Sequence, residues 1–121
     1  MSFEIPDQGF AKEFRLLSKS DFNSLKHGTK LASSGVLLSF YKTNSLSHSR
    51  IGLAVSKKLG NAVKRNKIKR KLRELFRKSD LKSKNFDLLL TLNFRYIKKN
   101  QLTFDDIYRE LELSYKELNL S

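Results

Sequence analysis

The chain has 121 residues, 39% of them hydrophobic and nine of them Phe, enough for one folded domain with a two-layer core and too few for two. A formal net charge of +13 points to an anionic partner, and the absence of cysteine excludes disulfides, thiol nucleophiles and thiolate metal sites. No apolar run approaches the roughly 20 residues that span a bilayer, and the start MSFEIPDQGFAKEF, with its early acids, is not a signal peptide, so a cytoplasmic location is expected.

Residues 1–17 hold Pro6 and Gly9 and no clear apolar period, which predicts an extended arm partly packed on the domain. Ser18-Lys19-Ser20-Asp21 reads as the capping box of a short helix running through Phe22 and Leu25 to His27, stopped by Gly28. Residues 30–43 predict a strand, with Val36, Leu38 and Phe40 alternating with Leu37, Ser39 and Tyr41. A polar loop leads to a second strand over 50–56, where Ile51, Leu53 and Val55 face one way and Gly52, Ala54 and Ser56 the other. Gly60 breaks the chain and Asn61 is a good N-cap for a helix to about residue 78. After a charged loop at 79–85, a third strand at 86–94 sets Phe86, Leu88, Leu90 and Leu92 against Asp87, Leu89, Thr91 and Asn93. The chain turns at 98–101. Thr103-Phe104-Asp105-Asp106 then caps a last helix with Phe104, Ile107, Tyr108, Leu111, Tyr115 and Leu118 on one side.

The order is α-β-β-α-β-α, which defines an α+β fold, a two-layer sandwich with helices over the bulky sheet face. The small residues on the other side of the second strand suit either a shallow trough that admits a ligand or the close approach of a neighbouring helix. Both readings stay open at this stage.

Residues 57–78 hold the chemistry. They carry eleven Lys/Arg against one acid, Glu74. Ile68, Leu72, Leu75 and Phe76 supply an apolar stripe at helical spacing. Residues 50–78 contain twelve basic groups and one acid, while the other ninety-two contain thirteen and eleven, so the positive charge belongs to one region. A solvated helix surface normally mixes both signs; a one-sided helix needs a counter-charge, most simply a polyphosphate backbone. At about 100° per residue, Asn66, Lys69, Arg70, Arg73 and Arg77 form a continuous basic face, and Arg65 lies at the N-terminal end of the core stripe. The free N–H groups of that first turn suit a phosphate. Arg65 and Lys69 are therefore expected to turn toward the trough, and Arg70, Arg73 and Arg77 to look outward.

Other chemistry is missing. His27 and His48 have no metal-ligand spacing, and capping and the helix dipole account for Asp105 and Asp106. There is no Gly-rich phosphate loop and no Ser/His/Asp set, so no catalytic or metal-binding residues are expected. The chain reads as a binder, or as the partner of something that does chemistry.

Ser56-Lys57-Lys58, Gly60-Asn61-Ala62-Val63 and Arg65-Asn66-Lys67-Ile68-Lys69-Arg70, followed by Arg73 and Glu74, resemble the signature of the bacterial ribonuclease P protein subunit. Asp21-Phe22, His27-Gly28 and Arg50-Ile51-Gly52-Leu53 extend the likeness over nearly the whole chain. The resemblance implies a small α/β sandwich with a left-handed βαβ crossover, like the second domain of ribosomal protein S5. It implies partnership with the catalytic RNA of ribonuclease P, which with Mg²⁺ held mainly by RNA removes the 5′ leader of precursor tRNA. Neither a membrane nor an obligate protein partner is implied. The RNA-binding set would be Lys57, Lys58, Asn61, Lys64, Arg65, Asn66, Lys67, Lys69, Arg70, Arg73 and Arg77. A leader cleft would take Phe22, Leu37, Ser39, Ser56, Arg65 and Lys69, with Tyr41 substituting for the aromatic the family can place at Ser39. Lys67 replaces an Arg of the motif, which keeps charge and loses bidentate geometry. A ribosomal or RNA-chaperone protein is the alternative of another class. A peripheral membrane protein is disfavoured, because the polar face of the helix is far wider than its apolar stripe.

Overall fold

The two strands with the plainest apolar patterns become the centre of the sheet. In the computed structural model, residues 2–4, 25 and 30–118 are described. They contain strands β1 (Ser2–Glu4), β2 (Lys30–Ser34), β3 (Leu37–Thr43), β4 (Arg50–Val55) and β5 (Phe86–Leu92), and helices α1 (Ala62–Lys78), α2 (Phe94–Lys99) and α3 (Phe104–Glu117). The sheet order is β1-β4-β5-β3-β2. β4 and β5 run parallel, with Ile51 opposite Leu88 and Leu53 opposite Leu90. Parallel neighbours cannot be joined by a tight turn, and α1 makes the crossover between them. The other pairs are antiparallel. The beginning of the expected arm is itself a strand, since β1 pairs with β4 in the register Ser2 opposite Val55. The helix expected around residues 18–28 lies outside the described residues except for Leu25.

Residues 30–43 form a hairpin rather than one strand. Gly35 turns the chain at φ +51°, a left-handed conformation that favours glycine. The turn is fastened to α3, where the Val36 N–H donates to Ser114 Oγ at 3.2 Å. A Cβ on Gly35 would lie 2.5 Å from that oxygen, so a side chain there would break the fit.

The hairpin also reverses the expected facing of β3. Leu37, Ser39 and Tyr41 stand opposite Leu92, Leu90 and Leu88. They therefore share the face that α1 and α3 cover. Ile68, Leu72 and Phe76 of α1 and Ile107, Leu111 and Tyr115 of α3 close on this face in one buried cluster. Each such side chain, fully buried, contributes roughly 1.5–3 kcal/mol. Period-two alternation says which residues share a face, not which face is the core. β3 is apolar on both sides, so its alternation carried no direction.

Local capping follows the sequence closely. Asn61 Oδ1 accepts the Lys64 N–H at 3.0 Å, as an N-cap should. In α3, Thr103 Oγ1 accepts the Asp106 N–H at 3.2 Å, and Asp106 Oδ2 accepts the Thr103 N–H at 2.9 Å, which completes the expected box. That backbone N–H, with the Thr103 hydroxyl, holds the Asp106 carboxyl below its ordinary range. β5 ends earlier than its pattern suggests because Asn93 caps α2, accepting the Tyr96 N–H at 3.2 Å. The loop after α1 contains a single 3-10 turn, Asp80–Ser83.

On the opposite sheet face Leu25, Ala54 and Leu89 form a second small cluster, with Phe40 packed against it. At Ala54, then, the small side chain admits close packing.

Candidate nucleic-acid interface

The approach to α1 is built by hydrogen bonds that aim its first turn. Ser56 follows β4 and its Oγ accepts the Lys58 N–H at 3.1 Å, winding Lys57–Leu59 into a 3-10 turn. Gly60 follows at φ +144°, and a Cβ there would meet Lys64 Cδ at 2.9 Å. Asn61 then opens a helix of seventeen residues. Its first turn contains no acid.

Three groups of polar and cationic residues surround α1. Lys64, Lys67 and Lys71 line the flank toward α3, where their ammonium groups lie over the rings of Phe104 and Tyr108 at 5.2–5.9 Å. Asn66, Arg70 and Arg77 form the exposed crest. On the far flank Lys69 is 2% exposed and Arg73 8%. Arg65, above them at the N-terminal end, is half-buried.

The Arg73 position corrects the expectation that it looks outward with Arg70 and Arg77. At about 100° per residue Arg73 lies only some 40° beyond Lys69, whereas Arg70 and Arg77 lie 80–100° beyond it. The buried arc is thus wider than the apolar stripe and includes two cationic shoulders. Lys69, expected to reach a trough, is not on the surface either. Of the other residues singled out, Lys57, Lys58 and Asn66 are exposed, Asn61 uses its Oδ1 as the cap, and Ser56 is half-buried just after β4.

The expected leader cleft changes most. Leu37, Ser39 and Tyr41 are buried on the helix-covered face. Ser39 is fully buried, and its Oγ has no hydrogen-bond partner among the described residues. The face that carries Gly52 and Ala54 instead receives Leu38 and Phe40 from β3, since Phe40 stands opposite Leu89 and Leu38 opposite Thr91. Phe40, and not Tyr41, is therefore the half-buried aromatic of β3 on the face that carries Gly52 and Ala54. Phe22 lies outside the described residues.

Sequence reading also missed Phe94, Phe104 and Tyr108 as companions of the lysines. Phe104 and Tyr108 sit four apart and stack with centroids 6.3 Å apart. That spacing was legible, but it had been assigned wholly to the core, against which both rings do pack.

Among the described residues, no cluster of three or more His, Asp or Glu is placed to hold a metal ion. With Glu74 its one carboxylate, α1 does not offer a ligand set that fits Mg²⁺. Nor is any helix among those residues long and apolar enough to cross a membrane.

A mixed sheet with two helices on one face, one of them a capped rod covered in cations, defines a small α+β protein of the nucleic-acid-binding kind. The chain belongs to the ribonuclease P protein family, whose model matches residues 10–119. The ribonuclease P protein component of Streptococcus pneumoniae is 36% identical over 118 residues, covering 88% of this chain and 95% of that one. That of Staphylococcus epidermidis is 46% identical over 67 residues; the aligned stretch covers 54% of this chain and little more than half, 58%, of the relative. The solved RNase P protein of Staphylococcus aureus matches with a TM-score of 0.65 at 32% identity, covering 84% of this chain and 91% of that one. Each of these relatives is thus a ribonuclease P protein component or RNase P protein.

Proposed function

We propose that the chain binds the catalytic RNA of ribonuclease P and the 5′ leader of precursor tRNA at once, joining substrate to catalyst in the cytoplasm without an obligate protein partner. The observation that carries this is α1, whose sequence sets nine Lys/Arg against Glu74 alone and whose crest exposes Arg70 and Arg77. Guanidinium groups match phosphate oxygens bidentately. Each phosphate they neutralise releases counterions and lowers the Mg²⁺ the RNA needs to hold its fold. The Mg²⁺ itself is assigned to the RNA, since a cation-covered helix repels it.

For the leader, the reachable groups are Ser56, Arg65 and Phe40. Unpaired bases are recognised largely by stacking on aromatic rings, and Phe40 is the half-buried ring on the sheet face opposite α1 and α3.

The test is 5′ cleavage of precursor tRNA by a bacterial ribonuclease P RNA at low Mg²⁺, with and without the protein. Added protein should raise cleavage. Phe40→Ala should weaken binding of precursor but not of mature tRNA by roughly 1–3 kcal/mol, the usual worth of one stacked base. No gain in cleavage would refute the proposal. Equal losses for precursor and mature tRNA would refute the role of Phe40.

A further inference from the structure

A lysine on an exposed helix face normally sweeps through many rotamers, and binding must freeze it. Three lysines instead lie over aromatic rings of α2 and α3. Lys58 Nζ lies 6.0 Å from the ring centre of Phe94, Lys64 Nζ 5.6 Å from Phe104, and Lys67 Nζ 5.2 Å from Tyr108. Such distances place an ammonium within reach of the negative face of an aromatic ring. The rings are themselves held, because all three pack against the main core and Phe104 stacks on Tyr108. Gly60 lets the Lys64 stem pass close to the backbone on its way to Phe104. A fourth lysine, Lys71, shares the Tyr108 ring at 5.9 Å but is also drawn to Glu112 Oε1 at 3.7 Å, which ties it into the fold.

We propose that Phe94, Phe104 and Tyr108 are positioning residues, which hold Lys58, Lys64 and Lys67 as a prearranged row of ammonium groups for phosphates of the catalytic RNA. This rests on the RNA-binding reading of α1 given above. One side of each ammonium meets the ring. All three lysines are exposed, so phosphate oxygens can reach the remaining N–H donors. The row lies on a different flank from the Arg70 and Arg77 crest, so the RNA is gripped from two directions.

The experiment measures affinity for a bacterial ribonuclease P RNA across a salt series, with thermal melts confirming that each variant is folded. Tyr108→Leu should weaken binding roughly three- to tenfold while the slope of log K on log salt stays unchanged, because no charge is lost. Tyr108→Phe should bind as the parent does. Lys67→Gln should reduce the slope by about 0.7–0.9, and adding Tyr108→Leu to it should cost little more. A second readout needs no variant: the Lys67 side-chain protons should show a ring-current shift in the free protein that persists on RNA. Full loss from Tyr108→Leu in the Lys67→Gln background, wild-type binding by Tyr108→Leu, or absence of the ring-current shift would overturn the proposal. An unchanged slope for Lys67→Gln would overturn it together with the RNA-binding reading of this flank, whereas a lysine effect without a ring effect would overturn the positioning role alone.

Discussion

α1 and α3 dock on the same sheet face and close the same core, yet only α3 follows at both ends the electrostatics of a stable isolated helix. α3 opens with Asp105 and Asp106, which complement the positive end of its dipole, and closes with Lys116. It spaces Arg109 three residues from Asp106, and Lys116 four from Glu112, as pairs. α1 has no acid in its first turn and places Lys64 and Arg65 where the dipole repels them. Its one i,i+4 pair among the described residues is Lys78 with Glu74. Local rules are broken in a folded protein mainly where something else is being selected. Here the breach coincides with the surface proposed to bind RNA, which agrees with that proposal more pointedly than net charge does.

If packing is truly common to both helices, core truncations should not distinguish them. Leu72→Ala in α1 and Leu111→Ala in α3, both at fully buried positions, should each cost about 2–5 kcal/mol in urea unfolding. A loss near zero at either site would mean that helix is not docked as described.

The seam between the helices titrates. The Tyr115 hydroxyl lies 2.8 Å from Ser79 Oγ at the C-terminal cap of α1. Burial raises its pKa from 10.0 to about 12, against a smaller opposing effect of the Ser79 hydrogen bond. The fold therefore favours the neutral ring. Its contribution is fully present below about pH 10 and is lost as pH climbs toward 12, because the unfolded chain releases the proton first. The loss should amount to about 2–3 kcal/mol. Chemical unfolding of wild type and Tyr115→Phe across that range should show the excess loss only in wild type; parallel curves would contradict it.

A smaller change addresses the breach itself. Val63, 75% exposed in the first turn of α1, can become Glu without disturbing the core. Val63→Glu should stabilise the protein by about 0.3–1 kcal/mol through the dipole while weakening RNA binding. Thermal melts and RNA titrations on one sample would check both signs. A variant that gained stability and kept full affinity would detach the binding surface from the helix start.

How much of this was readable beforehand depended on whether one residue's pattern had one meaning. Asn61, Thr103 and Asp106 were legible because a cap needs only a few consecutive residues. β4 was legible because Ile51, Leu53 and Val55 are large while Gly52 and Ala54 are small, so its facing was encoded in size. β3 offered no such asymmetry, with Leu37 and Tyr41 on one side and Leu38 and Phe40 on the other. Its facing was set by Gly35 and by the distant Ser114, a contact that chain order does not announce. That is why Ser39 and Tyr41 left the candidate cleft and Phe40 entered it. On α1, composition identified the basic element but not its sectors. Lys69 and Arg73 are buried although neither belongs to the apolar stripe, so the stripe alone understated the buried arc.

The contrast between the two helices is tested most directly by the salt dependence of binding to a bacterial ribonuclease P RNA. Two double variants are compared with wild type, Arg70→Ala/Arg77→Ala on the crest of α1 and Arg109→Ala/Lys116→Ala on the exposed side of α3. Each removes two exposed cations, so any effect of net charge alone would be the same for both. The α1 variant should flatten the slope of log K on log salt by about 1.4–1.8, and the α3 variant should leave it unchanged. Equal flattening by the two would contradict the assignment of α1 as the RNA-binding helix.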